Sequence, residues 1–182
     1  MAVTRSIQAL SSLESRVALV VGGAGHVGRV AAEAIRELGG AVVVLDRDQA
    51  HCDQVAAGLT AQGGAAVGLA CDLADEAATR AAVRSAAAQW GRLDIVVHCA
   101  AYVGTTPVPG WATPFAEQSV QAWDMALRVS LTSAFVIAQE AAPLLTTSGH
   151  GAIVLVGSIY GSVGPDLALY AGTSMANPAG YG

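Results

Sequence analysis

The chain has 182 residues, of which 53% are hydrophobic and 13% charged, and its formal net charge is −5. That length fits one domain, or one domain cut short, and the composition supplies a large core and excludes a disordered chain. The acidic balance excludes a general nucleic-acid binder, because phosphate contacts need a basic surface.

Residues 1–15 read as a flexible lead-in, with no apolar segment of the kind that makes a secretory signal. No stretch reaches membrane-spanning length without glycine or charge, so no membrane partner is expected. Cys52, Cys71 and Cys99 are too scattered for a disulfide framework or a zinc site. They fit small core positions in a reducing compartment, so a cytoplasmic protein without a metal is expected.

"VALVV" at 17–21 is a short, wholly apolar run, as expected of a strand buried on both faces. A helical pattern over 28–38 follows and stops at Gly39-Gly40. "AVVVLD" at 41–46 is a second buried strand, a helix over 49–62 comes next, and "AAVGLACD" at 65–72 is a third strand. An alanine-rich helix covers 75–90, and "LDIVVHCAA" at 93–101 contains a fourth strand. A loop with Pro and Gly spans 103–114, and one helix is expected from about 120 to 145, with Pro143 in its last turns. "GAIVLVGS" at 151–158 is a fifth strand. Strands alternating with helices predict an α/β fold, a Rossmann-like, doubly wound parallel sheet between two helical layers. No linker divides the chain, so it reads as a single dinucleotide-binding domain.

Between the first strand and the first long helix stands "GGAGHVG". A glycine turn at that place lets phosphate approach the backbone, and the helix N-terminus offers free N–H groups and a positive dipole end. The spacing Gly22, Gly25, Gly28 is GxxGxxG, and a glycine motif alone is weak. Its context strengthens it, because Asp46 ends the next strand. A carboxylate there can accept hydrogen bonds from both ribose hydroxyls and would repel a 2′-phosphate, which favours NAD over NADP. Arg47 beside it can pair a phosphate and pulls the other way. Asp72, at the end of the third strand, can meet an adenine ring or cap the next helix.

Taken in order, "GGAGHVG", Asp46, "CDL" at 71–73, "HCAA" at 98–101 and "GAIVLVGS" ending in Ser158 resemble the short-chain dehydrogenase/reductase family, from Val17 to the end of the chain. The resemblance implies hydride transfer between a nicotinamide cofactor and a small alcohol or ketone, and assembly as a homodimer or homotetramer. It implies a cofactor site made by Gly22, Gly25, His26, Val27, Gly28, Asp46, Arg47, Asp72, Leu73, Cys99, Ala100 and Ala101. It gives Ser158 the hydrogen bond to the substrate oxygen. A tyrosine then acts as general acid/base, assisted by a lysine four residues later, on the same helix face. Free tyrosine has a pKa of about 10 and needs that nearby cation to work near neutral pH.

Two tyrosines compete for the role. Tyr170 stands near the usual separation from Ser158, but Ser174 occupies the place of its lysine. Tyr181 is preferred, because Asn177 and Pro178 can start a helix whose first turn carries it. The fourth position after Tyr181 lies beyond Gly182, and the family's last strands are missing, so the chain reads as truncated at its C-terminus and inactive as it stands. Ser130 occupies the place of an asparagine that supports a proton relay in the family and is a candidate catalytic residue, or a small polar helix residue. His98 fits a structural strand end. An extended-type relative acting on nucleotide sugars and a non-catalytic dinucleotide-binding protein remain as alternatives.

Overall fold

The computed structural model describes residues 6–104, 106–173 and 175–181. Five parallel strands form one sheet in the order β3-β2-β1-β4-β5. They are β1 (Val17–Val21), β2 (Ala41–Asp46), β3 (Ala66–Ala70), β4 (Ile95–His98) and β5 (Ala152–Leu155). The helices are α1 (Ile7–Ser11), α2 (His26–Glu37), α3 (Gln49–Ala61), α4 (Glu76–Ala88), α5 (Val120–Leu127) and α6 (Ser133–Ser148). The expected Rossmann-like α/β architecture is present.

Successive strand residues point to opposite faces, and β1 shows the consequence. Val17, Leu19 and Val21 pack with Val83 and Ala86 of α4 and Ile137 and Leu145 of α6. Ala18 and Val20 pack on the other face with Ala32 and Ile35 of α2 and Cys52 and Leu59 of α3. All five β1 residues are buried, and each such Val or Leu contributes roughly 1.5–3 kcal/mol. Burial pushes the thiols of Cys52, Cys71 and Cys99 up, so they stay protonated.

A buried carboxylate fastens the bottom of the sheet. Asp94 accepts from Val17 N at 2.9 Å and from Arg92 at 2.6 and 2.8 Å, and Arg16 lies 3.8 Å away. Burial alone would raise its pKa, but the hydrogen bonds from Arg92 and Val17 and the two guanidinium charges outweigh burial and hold it below the usual carboxylate range.

Two expectations change. The lead-in is structured over its described part: Ser6 Oγ accepts from Ala9 N at 3.1 Å to start α1, and Leu13 N donates to Leu38 O at 2.7 Å. The single helix expected over 120–145 is interrupted by a π-helical turn, Arg128–Thr132, and runs on to Ser148. By length and apolarity the whole stretch Val120–Ser148 could cross a membrane. Here α6 instead packs against α4 and the sheet, and Glu140 meets Arg80 at 3.3 Å and Arg84 at 2.7 Å.

Candidate active site

The strand order reverses between β1 and β4, so the loops leaving their carboxyl ends meet at a crevice, the usual place for a ligand in this architecture. The glycine loop lines it, and its three glycines do different work. Gly22 has φ +75°, and a Cβ there would stand 2.7 Å from Ala100 N. A Cβ on Gly28 would stand 2.1 Å from Gly22 O, so this glycine lets α2 close against the turn. Gly25, the α2 N-cap, is exposed and makes no side-chain cap, and no acidic side chain lies in the first turn. The positive end of α2 is therefore open to an anion, which is the cradle a pyrophosphate needs.

Asp46 closes one side of this cradle. Its Oδ2 accepts from Ala24 N at 3.2 Å and its Oδ1 from Arg47 N at 2.8 Å. Each oxygen keeps a lone pair, so the carboxylate can still accept from a sugar diol. A cavity of about 470 Å³ opens there, lined by Ala24, Gly25, His26, Arg29, Asp46, Arg47, Asp48 and His51. These residues fit a dinucleotide: small backbone groups face the phosphates and an acid faces the ribose. Arg29, Asp48 and His51 were not singled out in the sequence. Arg29 lies one residue past Gly28, which was the available signal.

Asp72 and Asp48 show how local capping resolves an ambiguous acid. Asp72 is exposed and accepts from Ala74 N at 2.9 Å, while Asp75 caps α4, accepting from Ala78 N at 3.0 Å. Asp48 caps α3, accepting from His51 N at 2.8 Å, which leaves Asp46 free of that task. Leu73 is half-buried and packs against the core.

Cys99 and Ala100 follow β4 and are half-buried, and Ala101 is exposed. His98 ends β4 and is buried, with Nε2 2.8 Å from Ser133 Oγ. Ser133 donates to Val129 O at 2.5 Å inside the π turn, so its remaining lone pair accepts the His98 Nε2–H. Burial pushes the imidazole pKa down and keeps it neutral. The π turn carries Ser130, half-buried. Ser133 was missed in the sequence because nothing local marks its partner, 35 residues earlier.

The segment after β5 gathers the tyrosines. Ser158 Oγ accepts from Tyr160 N at 3.2 Å, and the hydroxyls of Tyr160 and Tyr170 are 3.1 Å apart. The hydrogen bond with Tyr170, then partial burial and the neighbouring Tyr170, Tyr181 and Asp166, raise the Tyr160 phenol above its ordinary value. Asn177 does not cap the turn that bears Tyr181, as expected from the sequence. Its amide donates to Tyr170 Oη at 3.4 Å, and 179–181 form one 3-10 turn closed by Tyr181 N to Pro178 O at 3.0 Å. Tyr181 packs against Trp111. Ser174 and Gly182 lie outside the described residues.

The sequence pattern of the family described as short chain dehydrogenase matches residues 16–176. The chain is 39% identical over 166 residues to 4-formylbenzenesulfonate dehydrogenase TsaC1/TsaC2 of Comamonas testosteroni, covering 91% of this chain and 64% of that one. It is 34% identical over 154 residues to D-threitol dehydrogenase of Mycolicibacterium smegmatis, covering 85% and 56%. The structure titled Pseudomonas aeruginosa RhlG/NADP active-site complex matches with a TM-score of 0.78 and 26% identity, over 94% of this chain and 62% of that one. The chain thus spans less than two thirds of the length of each. With the glycine cradle, the strand-end acid and this match in place, the chain belongs to the short-chain dehydrogenase/reductase family.

Proposed function

We propose that the chain is the cofactor-binding part of an NAD-dependent oxidoreductase acting on an alcohol or ketone. The observation that carries this is the open α2 N-terminus at Gly25 beside Asp46, both lining one cavity. In this reading the backbone at Gly25, His26 and Val27 holds the pyrophosphate, and Gly22 and Gly28 allow that backbone its shape. Asp46 accepts from the adenosine ribose. Arg47, Asp72 and Leu73 flank the adenine, and Cys99, Ala100 and Ala101 border the path toward the nicotinamide. The bound nicotinamide would supply the hydride donor or acceptor.

Ser158 holds the substrate oxygen, Tyr181 gives or takes the hydroxyl proton, and Ser130 positions a water behind them. No cation assists a phenol here: the chain has nine Lys+Arg residues, all arginine, and the last is Arg128. These 182 residues therefore bind cofactor without turning over substrate. That same observation favours, as a second reading, a non-catalytic dinucleotide-binding role. Assembly as a homodimer or homotetramer is supported by an apolar outer stripe on α5 and α6, where Leu131 is 65% and Phe135 62% exposed. Three unpaired thiols suit a cytoplasmic location.

Turnover tests the assignment in a longer form that carries a lysine four residues after Tyr181. There Tyr181→Phe abolishes turnover and Tyr170→Phe keeps most of it. Loss on Tyr170→Phe with activity retained on Tyr181→Phe reverses the assignment, and a form with the lysine that binds NADH but reduces no ketone favours the second reading.

A further inference from the structure

A second cavity, of about 640 Å³, lies between residues 112–118 and 165–179. Pro114, Phe115 and Gln118 wall one side, and Tyr170, Thr173 and Met175 the other. Gln118 ties the walls together: its Nε2 donates to Thr113 O at 3.2 Å, and its Oε1 accepts from Ala179 N at 3.3 Å. The polar end is made of neutral groups. Tyr170 leads through Tyr160 to the turn that holds Ser158. Thr113, also in the wall, has a buried Oγ1 with no hydrogen-bond partner among the described residues.

No side chain lining the cavity is charged. Beside it in sequence stand acids, Glu117 next to Gln118 and Asp166 next to Pro165. Arg128, the last cation of the chain, points its Nη1 to Ala74 O at 3.5 Å. An anion entering this space would lose its hydration and meet no counter-charge, whereas a hydroxyl loses less and finds phenols and an unpaired threonine oxygen. We propose that this cavity takes a neutral hydroxy compound with an apolar carbon frame and rejects carboxylates and sulfonates. The proposal rests on the oxidoreductase reading of Ser158.

The test uses the 182-residue chain and two probes with one ring and one hydroxyl in common, cyclohexane-1,4-diol and 4-hydroxycyclohexane-1-carboxylate. Saturation-transfer NMR titration at low ionic strength should give the diol at least a tenfold advantage. Thr113→Val should weaken the diol about fivefold without lowering Tm, because it removes an oxygen that the fold leaves unpaired. Met175→Lys should raise carboxylate affinity about fivefold and leave the diol unchanged. Equal affinities, preference for the carboxylate, binding of neither probe, or a diol indifferent to Thr113→Val would each overturn the proposal. An NADH titration run beside it separates the two levels. If NADH binds and the diol shows no advantage, the neutral-ligand inference alone fails; if NADH does not bind, the oxidoreductase reading fails.

Discussion

Strands β1 and β5 have almost the same chemistry and opposite fates. "VALVV" in β1 is buried at every position, whereas "AIVL" in β5 is exposed at every position, with Val154 at 50% and Leu155 at 60%. β1 has a strand on each side and helices over both faces, while β5 pairs only with β4 at the sheet edge. Apolar sequence makes a strand, but neighbours decide whether it is core. The same contrast separates the two halves of the site. The cofactor half rests on α2, β1, β2 and β4, all inside the packed sandwich, and the substrate half hangs on turns after β5.

The contrast can be broken most sharply at Asp94, which anchors the packed half. Asp94→Ala should lower stability by about 3 kcal/mol in urea denaturation, because it leaves Arg92 and Val17 N without their acceptor. A loss under about 1 kcal/mol would show that the clamp matters little. The acid limb should agree in sign. The folded pKa of Asp94 lies below its unfolded value, so its stabilisation is complete above about pH 4 and disappears as pH falls through the folded value.

Gly28→Ala should be next, at about 2–3 kcal/mol, with loss of NADH binding, since the new Cβ has backbone oxygen 2.1 Å away. The paired strands give a direct ratio. Val20→Ala in β1 should lower stability by about 2 kcal/mol, and Val154→Ala in β5 by about 0.5 kcal/mol or less. Equal losses would mean that β5 is covered in solution. The smallest effect is at His98. Its folded pKa is depressed by burial, so the unfolded chain takes up the proton first and stability falls below about pH 6.5, by roughly 1 kcal/mol by pH 5.5. His98→Asn should flatten that part of the pH profile of Tm.

Period and punctuation carried much of the fold. β1 and β2 could be bounded from sequence because their runs are wholly apolar and end at glycine or aspartate. The π turn could not, since "RVSLTSAF" is helical in pattern and only the carbonyl of Val129, engaged by Ser133, marks the break. Near the cofactor, the acid at 46 was legible because the strand end fixes its place. Arg29 and His51 were not, because they reach the same cavity from different helices. Asn177 looked like a helix cap, and a tyrosine hydroxyl brought near by tertiary folding won its amide instead.

The central claim is that the packed half is a complete NAD site. It is tested most directly by titrating the 182-residue chain with NADH and NADPH and following nicotinamide fluorescence. The account predicts saturable binding of both, with NADH tighter and its advantage lost in Asp46→Ser. No binding, or tighter NADPH in the unaltered chain, would contradict it and give Arg29 and Arg47 the deciding role.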